Sequence, residues 1–219
     1  MKSTLFTVAA MSAGSFASVA MADFHVPNGI NYGWVRGVTP GSTYAQWESF
    51  VSIGGPNNPD VGQSVVGTLA AGAQPFNVTA AGALTVVAGS GNLYSGFAPT
   101  AVTMTVPGFN WPAGTTTLLL QVRTVGTEIN GATLNIGGVV PTTVTELSRI
   151  SMGAQGAQVE TLYRFDLPSD VSTYTVLFSS VTSHFSVDRV AIDTFTVPTP
   201  GAAVVLGLAA FGAARRRRA

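Results

Sequence analysis

The side chains of this sequence that could do chemistry are few, and each kind narrows the chemistry available. The 219 residues include two histidines and no cysteine. Thiol catalysis, disulfide scaffolds and cysteine-ligated zinc or iron–sulfur sites are excluded. His25 and His184 are too far apart in sequence to form a local zinc motif. His184 and Asp188 would need a serine to complete a hydrolytic triad, and there is no G-x-S-x-G elbow to supply it. A lone histidine beside a strand reads as a hydrogen-bonded structural residue. Gly89-Ser90-Gly91-Asn92-Leu93-Tyr94 begins as a dinucleotide fingerprint and breaks it at Tyr94, where glycine is required.

Carboxylates and aromatics are the remaining candidates. Glycoside hydrolysis needs two carboxyl groups at a set separation. Glu48, Glu128, Glu146, Glu160 and Asp166 are present, but no spacing singles out a pair, and exposed charges also keep a surface soluble. Calcium needs only oxygen ligands. Asn57, Asn58 and Asp60 cluster in a proline-bounded loop, and Asp188 and Asp193 lie near the end of the domain. These residues suit either a calcium site or Asx turns and solvated carboxylates. No cofactor is expected beyond that one candidate, Ca2+. Tyr32 and Trp34 sit in a glycine-rich segment, and Phe109 and Trp111 sit between Pro107 and Pro112. A restricted loop tryptophan suits a flat face for a sugar ring or a cap on the core.

The elements that must position these groups read as strands. Charged residues are 9% of the chain, against a typical ~25%. Residues 23–197 hold five arginines, all ten acids and no lysine, for a net charge of −5. That argues against nucleic acid as a partner and removes Schiff-base chemistry. The same stretch contains 23 Thr and 24 Val, residues suited to a pleated surface. Leu118, Leu120 and Val122 alternate with Gln121 and Arg123, and Asn130-Gly131 predicts a type I′ hairpin returning through Thr133–Ile136. Residues 158–167 predict a strand with Val159, Thr161, Tyr163, Phe165 and Leu167 on one face. Gln158, Glu160, Arg164 and Asp166 take the other, interrupted by Leu162. Residues 174–178 and 185–196 predict two more strands. Apolar parity shifts at Asp188-Arg189, which predicts a β-bulge. Thr43-Tyr44-Ala45-Gln46, with Tyr44, Trp47 and Val51 at helical spacing, predicts one short helix. Many short strands and almost no helix give an all-β chain: a single antiparallel, jelly-roll-like β-sandwich.

Both ends read as processing signals. Lys2, an uncharged run from Leu5, and Ala20-Met21-Ala22 have the layout of a signal peptide over residues 1–22, with Ala20 and Ala22 at the cleavage site. Export machinery and signal peptidase are the implied partners. At the other end, Pro198-Thr199-Pro200 precedes an apolar stretch at 201–214 and then Arg215, Arg216, Arg217 and Arg218. As a helix, 201–214 reaches ~21 Å, short of a ~30 Å hydrocarbon core. Four arginines would stay on the cytoplasmic side. A marginal apolar helix with a basic stop fits a transient membrane contact that is read and removed.

Residues 198–219 resemble the PEP-CTERM sorting signal of exported bacterial proteins. Pro198 and Pro200 match its two prolines, and Thr199 stands where that signal carries Glu. The resemblance implies processing by an exosortase-like enzyme and delivery to the cell surface or extracellular matrix. The segment Phe185-Ser186-Val187-Asp188-Arg189-Val190-Ala191-Ile192-Asp193 resembles the closing strand of galactose-binding-like sandwiches, which implies sugar binding.

The sequence therefore predicts three parts: a signal helix over 1–22, a β-sandwich domain over 23–197 and a sorting tail over 198–219. The expected function is that of an exported, surface or matrix protein with a structural or adhesive role and no catalysis. The alternatives are a carbohydrate-binding module for neutral extracellular polysaccharide, with Phe109 and Trp111 as its platform, and a glycan hydrolase with an unrecognised carboxylate site.

Overall fold

A computed structural model describes residues 33–198 of the chain. The signal segment with Ala20 and Ala22, His25, Tyr32, Thr199, Pro200, the apolar stretch 201–214 and Arg215–Arg218 lie outside the described residues. So do both expected flanking helices.

The described residues form an all-β fold of two antiparallel sheets packed face to face. The twelve strands are β1 (Ser42–Trp47), β2 (Gly62–Val66), β3 (Asn77–Ala81), β4 (Thr85–Val87), β5 (Leu93–Ser95), β6 (Ala101–Pro107), β7 (Gly114–Gly126), β8 (Asn135–Ile136), β9 (Thr143–Ser151), β10 (Ala157–Leu167), β11 (Thr173–Ser179) and β12 (Phe185–Pro198). One sheet runs β2-β1-β12-β7-β10-β9, with the β4–β5 hairpin attached to β12; the other runs β3-β6-β11-β8. From β5 to β9 the chain changes sheet at every step, and again from β10 through β12, as in a jelly roll.

Alternation sets which residues meet in the middle. In β7, Leu118, Leu120 and Val122 point inward; in β11, Tyr174, Val176 and Phe178 meet them from the second sheet. Trp47, Met104, Phe165 and Ile192 complete the centre of this core, all fully buried. Burying each such side chain contributes roughly 1.5–3 kcal/mol.

The bulge expected at Asp188 is present: the β12–β7 register slips between Val187 and Arg189. It also falls where β12 changes neighbour. Phe185–Val187 pair with β5, and Val190–Phe195 pair with β1. One extra residue there keeps Phe185 and Val187 facing the core on one side of the slip and Val190 and Ile192 on the other.

Three local expectations are corrected. Residues 43–47 belong to strand β1, not to a helix: Trp47 points into the core and Tyr44 onto the opposite face. The helical spacing of Tyr44 and Trp47 is overridden by pairing with β12 and β2. Residues 116–136 are not a hairpin. β7 pairs with β12 and β10, while β8 pairs with β11 in the other sheet. Asn130-Gly131 does make a turn, but one closed by Thr133 N donating to Asn130 O, with Ala132 N donating to Asn130 Oδ1. Neither Asn130 nor Gly131 takes the positive φ that a type I′ turn requires. Finally, the polar side of β10 is solvated only at one end: Glu160 and Leu162 are buried, while Arg164 and Asp166 reach solvent.

Candidate functional site

The outer face of the larger, eight-stranded sheet carries a line of polar side chains. Arg123 on β7 donates to Glu160 Oε2 on β10 through Nη2 (2.8 Å) and Nε (3.2 Å), and Gln121 donates to Glu160 Oε1. Arg123 Nη1 lies 3.9 Å from Asp188, and Arg189 Nε lies 3.7 Å from the same carboxylate. Arg189 Nη1 is buried without a hydrogen-bond partner among the described residues and faces Glu48 at 3.8 Å. Gln46 donates to Glu48, Tyr44 donates to Gln46, and the Arg36 guanidinium lies 4.2 Å above the Tyr44 ring. Arg36 then closes on Asp193. Burial pushes the Asp193 carboxyl up, and Arg36 pulls it only part of the way back. Such a line of alternating charge fixes side chains in place, since unpaired charges there would carry a desolvation cost.

The expected calcium residues are separated and occupied. Asn57 is buried; its Oδ1 accepts from Val51 N (2.8 Å) and Ser52 N (3.1 Å). Its Nδ2 donates to Ser52 O (2.6 Å) and Val78 O (2.7 Å). Asp60 accepts from Glu48 N, Ser49 N and Ser49 Oγ. Asp188 and Asp193 face the arginines described above. These oxygens stitch loops together in the manner of Asx turns. Among the described residues, no group of three or more His, Asp or Glu converges as a metal site.

Phe109 and Trp111 pack against each other at one end of the sandwich, ring centroids 5.3 Å apart. Phe109 is only 4% exposed and Trp111 is half-buried. Asp170 Oδ2 accepts from Trp111 N at 2.8 Å and so fixes the loop. The far edge of the Trp111 ring lies over Gly41, where a Cβ would come within 2.9 Å of it. Of the two roles open to these aromatics, their geometry is that of a cap. Trp34 likewise lies on Phe195, stacked at 5.1 Å.

The opposite end is open. There the β4–β5 turn, the end of β7, a short 3-10 turn at Gly153–Gln155 and the start of β12 surround a cleft of about 700 Å³. Its polar side chains include Asn92, Tyr94, Thr127, Gln155, His184 and Ser186, and Ala88, Val125 and Ala154 are apolar. No charged residue lines it. Asn92 Nδ2 donates to Ser186 Oγ at 3.2 Å, and Tyr94 Oη lies 3.4 Å from His184 Nδ1. His184 has φ +59°, a left-handed backbone that non-glycine residues adopt at a cost. Opposite it, Gly126 has φ +85°, and a Cβ there would come within 2.2 Å of His184 O.

Sequence reasoning missed this cleft. Its walls come from segments up to ~100 residues apart, joined only by sheet pairing. The segment that fails as a dinucleotide loop, 89–94, forms one wall. Its Gly-Ser-Gly-Asn turn was the one available signal.

No family model matches the sequence, and no curated protein and no solved structure matches it.

Proposed function

We propose that this is an exported, C-terminally sorted β-sandwich protein of the cell surface or extracellular matrix, structural or adhesive in role and without catalysis. The observation that carries the reading is the three-part tail: Pro198-Thr199-Pro200, the apolar stretch 201–214 and the arginine cluster 215–218, paired with Ala20-Met21-Ala22 at the other end. Signal peptidase and an exosortase-like enzyme would act on the two ends, and 201–214 would contact the membrane only in transit.

The domain between them supports a mechanical role. The tail continues directly from β12, whose fourteen residues end at Pro198 opposite Gly114. β12 lies inside its sheet, bonded to β7 along one side and to β5 and β1 along the other. Force applied at Pro198 is therefore opposed by hydrogen bonds on both sides of the strand.

The non-catalytic reading is supported by the carboxylates. Each acid among the described residues is held by an arginine or, for Asp60 and Asp170, by backbone N–H and hydroxyl donors. Groups engaged in this way lack the free, facing arrangement that glycoside hydrolysis uses.

Intact-mass analysis of the protein from surface and membrane fractions tests the reading. The expected surface form starts at Asp23 and lacks Arg215–Arg218. Recovery of the full-length chain from the cytoplasm alone would reject it.

A further inference from the structure

We propose that the cleft beside His184 binds uncharged sugar units of a polysaccharide, with Asn92, Tyr94, Gln155 and His184 as the contacting side chains. The proposal rests on the adhesive reading above and gives it a site and a ligand class.

The lining decides the chemistry. A ligand carrying net charge would find no counter-charge there, because the cleft holds no Asp, Glu, Lys or Arg. Its hydroxyl, amide and imidazole groups can each donate and accept hydrogen bonds. A sugar hydroxyl does the same, so the two sets match without a fixed polarity. The Tyr94 ring supplies a half-exposed aromatic face for the C–H side of a sugar ring. Its volume lies within the ~300–1,000 Å³ range of ligand sites. Because the cleft is open, a polymer can pass through it.

The walls are preorganised. The Asn92–Ser186 bond and the interlocked Gly126 and His184 backbones hold them before any ligand arrives. Fewer rotamers are then lost on binding. Non-glycine residues at positive φ concentrate where a site must hold a set shape, and His184 is one of three in the described residues.

Placement supports the same conclusion. The tail leaves the sandwich where Pro198 pairs with Gly114, and the cleft lies where Phe185 pairs with Gly126. Twelve strand steps separate these ends, about 40 Å. The cleft therefore faces away from the end of the sandwich at which the tail is processed. Phe97, 82% exposed, follows Ser95, which pairs with Phe185 at this end of β12.

The test uses the purified full chain in affinity electrophoresis, with dextran, a galactomannan and a mixed-linkage β-glucan as neutral probes and polygalacturonate as the anionic one. At least one neutral probe should retard the protein, and polygalacturonate should not. Gln155→Ala, on an exposed turn, and Asn92→Ala should each weaken that binding at least fivefold with melting temperatures within a few degrees of the parent. Trp111→Ala, at the far end, should leave binding intact in whatever fraction is folded. The chain has only two histidines, so a His25→Gln background isolates the His184 ring signal in NMR, which should shift on adding the bound probe. Binding to none of the neutral probes, or preference for polygalacturonate, overturns the proposal. So does neutral binding that survives both cleft substitutions, or that is lost only in Trp111→Ala. Immunolabelling of intact cells separates the two readings: a surface-exposed protein without a saccharide site removes this inference and leaves the adhesive one standing.

Discussion

Arg36 grips Asp193 with two parallel hydrogen bonds, Nε to Oδ1 and Nη2 to Oδ2, both 2.5 Å. The pair joins the segment before β1 to the middle of β12, 157 residues away. The carboxylate is nearly buried, while the guanidinium is about one-third exposed and lies over Tyr44. Removing the cation leaves a buried charge without its partner. Arg36→Ala should therefore cost about 3 kcal/mol, near the lower end for breaking a buried pair. Asp193→Asn should cost less, because it removes the charge that needs compensation. Urea denaturation of both variants checks the order, and equal losses would contradict it.

Asn57 makes four side-chain hydrogen bonds: three close the loop after β1 on Val51 and Ser52, and the fourth ties it to Val78 O of β3. Asn57→Ala should destabilise the fold by roughly 2–4 kcal/mol, since several buried partners lose their bonds together. With these oxygens occupied, melting curves in millimolar calcium and in chelator should coincide. A calcium-dependent rise in melting temperature would show that ligand binds the native state.

Strand positions were legible where local pattern reports burial directly. Leu118, Leu120 and Val122 alternate because one face of β7 meets the second sheet, and the slip at Asp188 shows in the sequence as broken parity. Pairing was not legible. Nothing local to Asn130-Gly131 says that the chain is crossing to the other sheet, so the turn signal by itself predicts a hairpin. Glu160 follows the polar parity of its strand, yet it is buried because Arg123 and Gln121 meet it from β7. The cleft was hidden for the same reason: Asn92, Gln155 and His184 become neighbours only once β5, β7 and β12 are paired.

Trp111 tests what closes the tail end of the sandwich. Its ring lies against Phe109 and over Gly41, and its N–H is held by Asp170. Trp111→Ala should destabilise by about 3 kcal/mol, the low end for a large aromatic because the ring is half-exposed. An unchanged urea midpoint would mean that the ring contributes nothing as a cap.

Alkaline pH should unfold this protein through its tyrosines. Burial pushes the Tyr44, Tyr163 and Tyr174 phenols up, and for Tyr174 the hydrogen bond to Asp170 (2.5 Å) adds to the effect. The unfolded chain releases those protons near pH ~10, while the folded chain retains them. Between the unfolded and folded values the unfolded state binds fewer protons, so stability falls as pH rises. The stabilisation is fully present below pH ~10 and is lost above it. Denaturant midpoints measured on either side of that pH should show the decline, with phenolate absorbance from these three residues appearing together with unfolding. Tyr174→Phe should cost about 1 kcal/mol at neutral pH, for its lost hydrogen bonds, and make the alkaline decline shallower. A decline as steep as the parent's would remove Tyr174 from the account.

The edge of the larger sheet should resist association through Leu147. Among the described residues, β9 has no partner strand on its outer side. Glu160 pairs with Ser148 and Thr161 with Glu146, which leaves Leu147 as an extra residue and twists the edge. Beside it, Arg149 binds Glu146 and Glu128, placing a charge cluster along the edge. Bulges and charges are both devices that prevent a free edge from templating another strand. Deleting Leu147 keeps every existing β9–β10 pair in register while straightening the edge. The deletion variant should stay folded but self-associate at concentrations where the parent does not, and sedimentation velocity measures the difference. If it remains as monodisperse as the parent, the bulge is not what protects β9, and the Arg149 cluster becomes the feature to test by Arg149→Ala.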